Sequence, residues 1–160
     1  LRRGSWDSTR GTESITSTAI ALLGLTRASI IPDRLGIDQG RTCEALVARA
    51  VSSQYRGALG LMLWANRVTN GPSPADVLTR FGLSLDDVEQ WTRPLETMEL
   101  AWLLSGLAHE LAHAPSELLR HAFRATRAAL LARFVRRTRT FVHATPDAPP
   151  RHRLRRWVAN

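Results

Sequence analysis

Ala58-Leu-Gly-Leu-Met-Leu-Trp-Ala65 is apolar from end to end. A helix without a polar stripe has no side that water can wet, so other helices must cover it all round. Ala19-Ile-Ala-Leu-Leu-Gly-Leu25 and Leu100-Ala-Trp-Leu-Leu-Ser-Gly-Leu107 share this character. The segments between and after them are one-sided. Leu46, Val47, Ala50 and Val51 form a stripe opposite Glu44 and Arg49. Leu119, Phe123, Leu130 and Phe134 form another, opposite Arg120, Arg124, Arg127 and Arg137. These spacings are helical, and the period-two alternation of strands is almost absent. The fold class is all-α.

Local signals bound the helices. A Ser- and Thr-rich entry at Thr12–Ser17 leads into Ala19–Leu25, and Asp38 caps a helix running to about Ser52. The apolar stretch spans about Ser53 to Val68 and stops at Asn70-Gly71-Pro72. Ser73-Pro74 starts the next helix, with Pro at its first position, and Gly82 ends it before a short turn of helix at Asp86–Trp91. Arg93-Pro94 opens a long helix that closes at Ala114-Pro115. Ser116 with Glu117 caps a last one reaching about Val142.

Spacing turns this alternation into an architecture. Leu25, Asn66 and Leu107 are 41 residues apart and each closes an apolar helix at the same phase. A repeat of about 40 residues, one buried and one amphipathic helix per unit, belongs to helical solenoids or closed α/α rings. Buried helices with so little polarity favour the ring. Residues 1–144 then form three repeated α-hairpins, part of an (α/α) toroid. Residues 145–160 form a Pro- and Arg-rich loop leading to a further helix. The chain starts at Leu1 and stops at Asn160 in mid-pattern, which predicts a fragment of a longer protein.

Composition narrows the partners. Of 160 residues 44% are hydrophobic, and the 22 basic residues are all Arg, giving a net charge of +8. Residues 1–115 hold 11 Arg against 12 acids, whereas residues 116–160 hold 11 Arg against Glu117 and Asp147. The excess therefore sits on one helix and one tail, Arg151-His-Arg-Leu-Arg-Arg-Trp157, and a uniformly basic groove is excluded. We expect no nucleic-acid partner. The longest apolar runs fall far below the roughly 20 residues that cross a bilayer, so no membrane span is expected and the location is read as cytoplasmic. The single Cys43 excludes an intrachain disulfide framework and a Cys-based zinc cage, and reads as a small half-buried helix residue.

Arg10-Gly-Thr-Glu-Ser-Ile-Thr-Ser-Thr-Ala-Ile-Ala-Leu-Leu-Gly-Leu25, Thr97-Met-Glu-Leu-Ala-Trp-Leu-Leu-Ser-Gly-Leu107 and Arg153-Leu-Arg-Arg-Trp157 resemble uncharacterised bacterial proteins of the α/α-toroid type. These are similar to six-hairpin glycosidase and terpenoid-cyclase-like folds. The resemblance implies a pocket where the inner helices begin, and a carbohydrate-related role; its motifs are packing patterns and not catalytic signatures.

The three inner-helix entries are Asp7 to Glu13, Ser53-Gln-Tyr-Arg56 and Arg93 to Glu99. Helix starts present free N–H groups and partial positive charge, which suit hydroxyl-rich or anionic ligands. Trp6, Tyr55 and Trp91 could stack on sugar faces. Hydrolysis of a glycosidic bond needs two carboxylates flanking it. The candidates are Glu13, Glu99, Asp7 and Glu96, with Arg10, Tyr55, Arg56 and Arg93 as substrate-binding residues. Capping is the competing role for each carboxylate. The leading expectation is a pocket that binds or processes a carbohydrate-like substrate without a cofactor.

A rival motif is His109-Glu110-Leu-Ala-His113. On a helix, two His one turn apart can bind zinc while the Glu activates the bound water, which would make a zinc metallopeptidase. Pro115 ends the helix directly afterwards, and neither Glu117 nor His121 has a recognised third-ligand spacing. A third possibility is a non-catalytic helical scaffold.

Overall fold

The computed structural model describes residues 14–28, 36–69 and 71–143. Within them lie helices α1 (Ile15–Arg27), α2 (Gln39–Ser52), α3 (Leu59–Val68), α4 (Pro74–Arg80), α5 (Val88–Thr92), α6 (Thr97–His113) and α7 (Glu117–Leu131). Two short antiparallel strands follow, β1 (Phe134–Val135) and β2 (Thr140–Phe141). The chain is mostly helical, as its periodicity requires. The segment 145–160, expected to be a loop leading to a further helix, lies outside the described residues.

Four helix starts are set by side-chain caps. Ser14 accepts from the Ser17 N–H, Asp38 from Arg41 at 2.9 Å, Ser73 from Asp76 at 3.2 Å, and Ser116 from Leu119 at 3.2 Å. Pro74 occupies the first turn of α4, and Gly82 follows that helix at φ +65°, a conformation that favours glycine.

Three boundaries differ from the sequence expectation. Helix α3 begins at Leu59 instead of Ser53, because Gln54 takes a left-handed conformation and the Tyr55 N–H closes back on the Ala50 carbonyl. Helix α6 begins at Thr97 instead of Arg93, because Glu96 adopts the extended geometry of an N-cap. Helix α7 stops at Leu131 and not near Val142. The β-branched and aromatic run Phe134-Val-…-Thr140-Phe-Val142 pairs with itself as a hairpin, so Phe134 points outward instead of joining the core stripe.

Helix α3 stands between α1 and α6, with α2 packed on α1 and α3, α7 on α6, and α5 on α7. It is apolar all round because it serves two core clusters. Leu59, Met62 and Leu63 join residues of α2, α4, α5, α6 and α7 in the larger one. Leu61 and Ala65 join Ala19, Leu22, Cys43 and Leu46 in the smaller one. Burying each such side chain contributes about 1.5–3 kcal/mol, so this helix organises the described fold. Helix α1 is covered less than its sequence suggests, with Ala19 and Leu22 buried and Ile20 exposed; among the described helices it packs mainly on α2 and α3.

The α3–α6 contact is a backbone approach. A Cβ placed on Gly60 would overlap Leu103 N and Trp102 C, and one on Gly106 would overlap the Gly60 carbonyl. Further along, Trp64 stacks on His109 and Arg67 faces Glu110. The contacts climb both helices together, so α3 and α6 run parallel.

Candidate functional site

The parallel register brings Tyr55 and Gly57, just before α3, level with the start of α6. A Cβ on Gly57 would collide with Glu99 Oε1 and come within 2.8 Å of Tyr55 Cε2. The segment just before α3 and the first turn of α6 therefore meet, at Gly57 and Glu99. Arg56 is half-buried and Arg93 exposed. Asp7, Arg10 and Glu13, the first entry, lie outside the described residues, as do Trp6 and the Arg-rich tail with His152.

Glu96 and Glu99 form a capping box at the α6 start, in which the Glu96 N–H donates to Glu99 Oε2 at 2.7 Å. Their negative charge also complements the positive end of the helix. Glu96 Oε2 lies 3.0 Å from His143 Nε2. Arg133 is 4% exposed and donates to Thr97 Oγ1 at 3.4 Å. Burial pulls its pKa below the ordinary guanidinium value, while the Glu99 and Glu96 carboxylates push it back up. Thr97 completes the assembly: its hydroxyl donates to the Val142 carbonyl and its N–H to the His143 carbonyl. Both candidate carboxylates thus start one helix and bind its backbone, next to a buried cation that ties down the hairpin. A glycosidase pair flanks its bond from opposite sides, with about 5 Å or more between carboxyl groups.

The His-Glu-x-x-His segment occupies the last turns of α6. His109 is exposed and stacks on Trp64, with ring centroids 4.5 Å apart and planes 19° from parallel. His113 is exposed in the final turn. Glu110, between them in sequence, is 3% exposed and lies near Arg67. Among the described residues no group of three His, Cys, Asp or Glu side chains is placed to hold a metal ion.

Burial raises the pKa of Glu110 and the nearby Arg67 charge lowers it, burial having the larger effect. A carboxyl raised in the folded state binds more protons there than in the unfolded chain. Its contribution to stability is complete below the ordinary carboxylate range and is lost as pH climbs through the raised value. Glu110→Gln should flatten this dependence. The fall in thermal midpoint between acidic and neutral buffer is expected to be smaller in the variant than in the parent; an equal or larger fall would contradict the assignment. Cys43 is buried against Thr69, its Sγ 3.1 Å from the hydroxyl oxygen, and burial pushes the thiol pKa up, as suits a packing residue.

A groove of about 690 Å³ is lined by Leu23 and Arg27 of α1, Trp64 and Val68 of α3, and Trp102 and His109 of α6. Sequence reading assigns Trp64 and Trp102 to helix packing alone. Their convergence was encoded only in the inter-helix register, which a single helix pattern does not carry. Comparison with family models, with curated proteins and with solved structures finds no match for this chain.

Proposed function

We propose that the chain is part of an α/α ring whose inner face binds a carbohydrate-like ligand, and that this part of it acts by binding and not by hydrolysis. The observation that carries the reading is one groove shared by Trp64 of α3 and Trp102 of α6, with His109 stacked on the first and Arg27 also in the lining. A sugar ring has a flat C–H face and a polar rim. An aromatic floor edged by a guanidinium and an imidazole complements both. The ring itself is supported by the row α1–α3–α6 and the parallel α3–α6 pair. Binding is favoured over chemistry because Glu96 and Glu99 are engaged with the helix start and its neighbours. The zinc reading lacks support because Glu110 is buried near Arg67, His109 stacks on Trp64, and no third ligand joins the two imidazoles among the described residues.

Titration of the 160-residue chain with a panel of neutral and acidic oligosaccharides, followed by tryptophan fluorescence and calorimetry, tests this. A saturable response is expected, weakened about tenfold by Trp64→Ala or Trp102→Ala, the effect of removing one stacking platform of 1–1.5 kcal/mol. Absence of binding across the panel would reject the ligand class. Binding that ignores both tryptophans but fails in Glu96→Gln would move the site to the helix starts.

A further inference from the structure

From Glu117 to His143 the chain carries seven arginines against one acid. Arg133 is turned inward and Arg120 pairs with Glu117. Arg124, Arg127, Arg136, Arg137 and Arg139 are all exposed, and none makes an ion pair among the described residues. Arg120, Arg124 and Arg127 follow one stripe of α7, and Leu131, 51% exposed, continues it. The other three arginines crowd the turn of the β1–β2 hairpin.

That hairpin has two unlike faces. Phe134 pairs with Phe141 across the ladder, so both side chains share one side, while Arg133, Val135 and Val142 alternate to the other. The inward side is anchored: Arg133 is buried near the α6 carboxylates and the Val142 carbonyl accepts from Thr97. The outward side therefore holds Phe134 and Phe141 in water, 39% and 46% exposed, with ring centroids 5.1 Å apart. A two-stranded hairpin is marginal alone. Here it is pinned with two aromatic rings exposed on one side and three exposed arginines at its turn.

We propose that the outer face of α7 and the β1–β2 hairpin form a docking surface for an anionic lipid membrane. Exposed Phe and Leu among unpaired Arg match the interface, where apolar side chains enter the acyl boundary and cations meet phosphate headgroups. Single-stranded RNA also attracts Arg and aromatic rings, but base stacking needs open, flat platforms. The two rings tilt 54° against each other and present a wedge, and Leu131 has no ring to stack. Attachment is peripheral, since no helix of the described residues is long and apolar enough to cross a membrane.

Co-sedimentation of the 160-residue chain with vesicles of equal parts phosphatidylglycerol and phosphatidylcholine tests the proposal. Binding is expected to these vesicles and not to phosphatidylcholine alone, and to weaken with added salt. Joint replacement of Arg136, Arg137 and Arg139 by Gln should reduce it about a hundredfold, at roughly fivefold per charge. Phe134→Ser with Phe141→Ser should reduce it about tenfold. Thermal unfolding of each variant is recorded alongside; if the Phe pair unsettles the hairpin, the exposed Arg set decides alone. Failure to bind the charged vesicles, binding unchanged by the Arg set, or binding to a single-stranded RNA and not to vesicles would each overturn the proposal.

Discussion

Gly60→Ala is expected to destabilise the chain by about 2 kcal/mol, although alanine is the better helix former by about 1 kcal/mol. The added methyl would fall inside Leu103 N and Trp102 C, which are backbone atoms with no alternative rotamer. Relief requires α3 and α6 to separate, and that strains the larger core cluster along both helices. Overpacking of this kind costs about 1–3 kcal/mol or more, which outweighs the propensity gain. Gly24→Ala in α1 provides the opposite sign. Among the described residues no atom beyond its own helical backbone lies within 4 Å of its Cβ position, so propensity acts alone and stabilises by about 0.5–1 kcal/mol. Denaturant unfolding of the two variants, side by side, checks the contact. Equal shifts would mean that the two backbones do not touch.

Arg133→Met should cost about 3 kcal/mol. A single partner removed from a buried charge cluster leaves the others desolvated without compensation, typically at 3–5 kcal/mol. The lower figure applies because Glu96 keeps His143 and Glu99 keeps the capping box. Methionine fills similar volume, so the loss reports charge and hydrogen bonding more than a void. The hairpin should loosen at the same time, and amide exchange at Val142, whose N–H donates to the Arg133 carbonyl, should accelerate more than exchange within α3. A variant as stable as the parent would show that the guanidinium does not compensate the two carboxylates.

Caps were the most legible part of the sequence. Asp38, Ser73-Pro74 and Ser116 each announced a helix that starts where expected, since a cap is written within four residues. Helix ends set by tertiary contacts were not. Nothing near Leu131 requires a stop, and the hairpin beyond it depends on Thr97, far back in the chain. The same distinction governs the candidate sites. Glu96 and Glu99 stand at capping spacing and do cap. Arg133, inside a run of arginines that otherwise face water, gave no local hint of burial. Trp64 and Trp102 looked like core residues, and only the parallel contact of α3 with α6 places both on one groove.

Helix α3 lends opposite flanks to two separate oily clusters, and this has a consequence for proteolysis. The exposed link Ser53-Gln54-Tyr55 between α2 and α3 is a natural place for a protease to nick the chain. Cleavage there would cut the covalent path yet leave α1 and α2 gripped by Leu61 and Ala65. The two pieces should migrate as one particle under native conditions and part only when denatured.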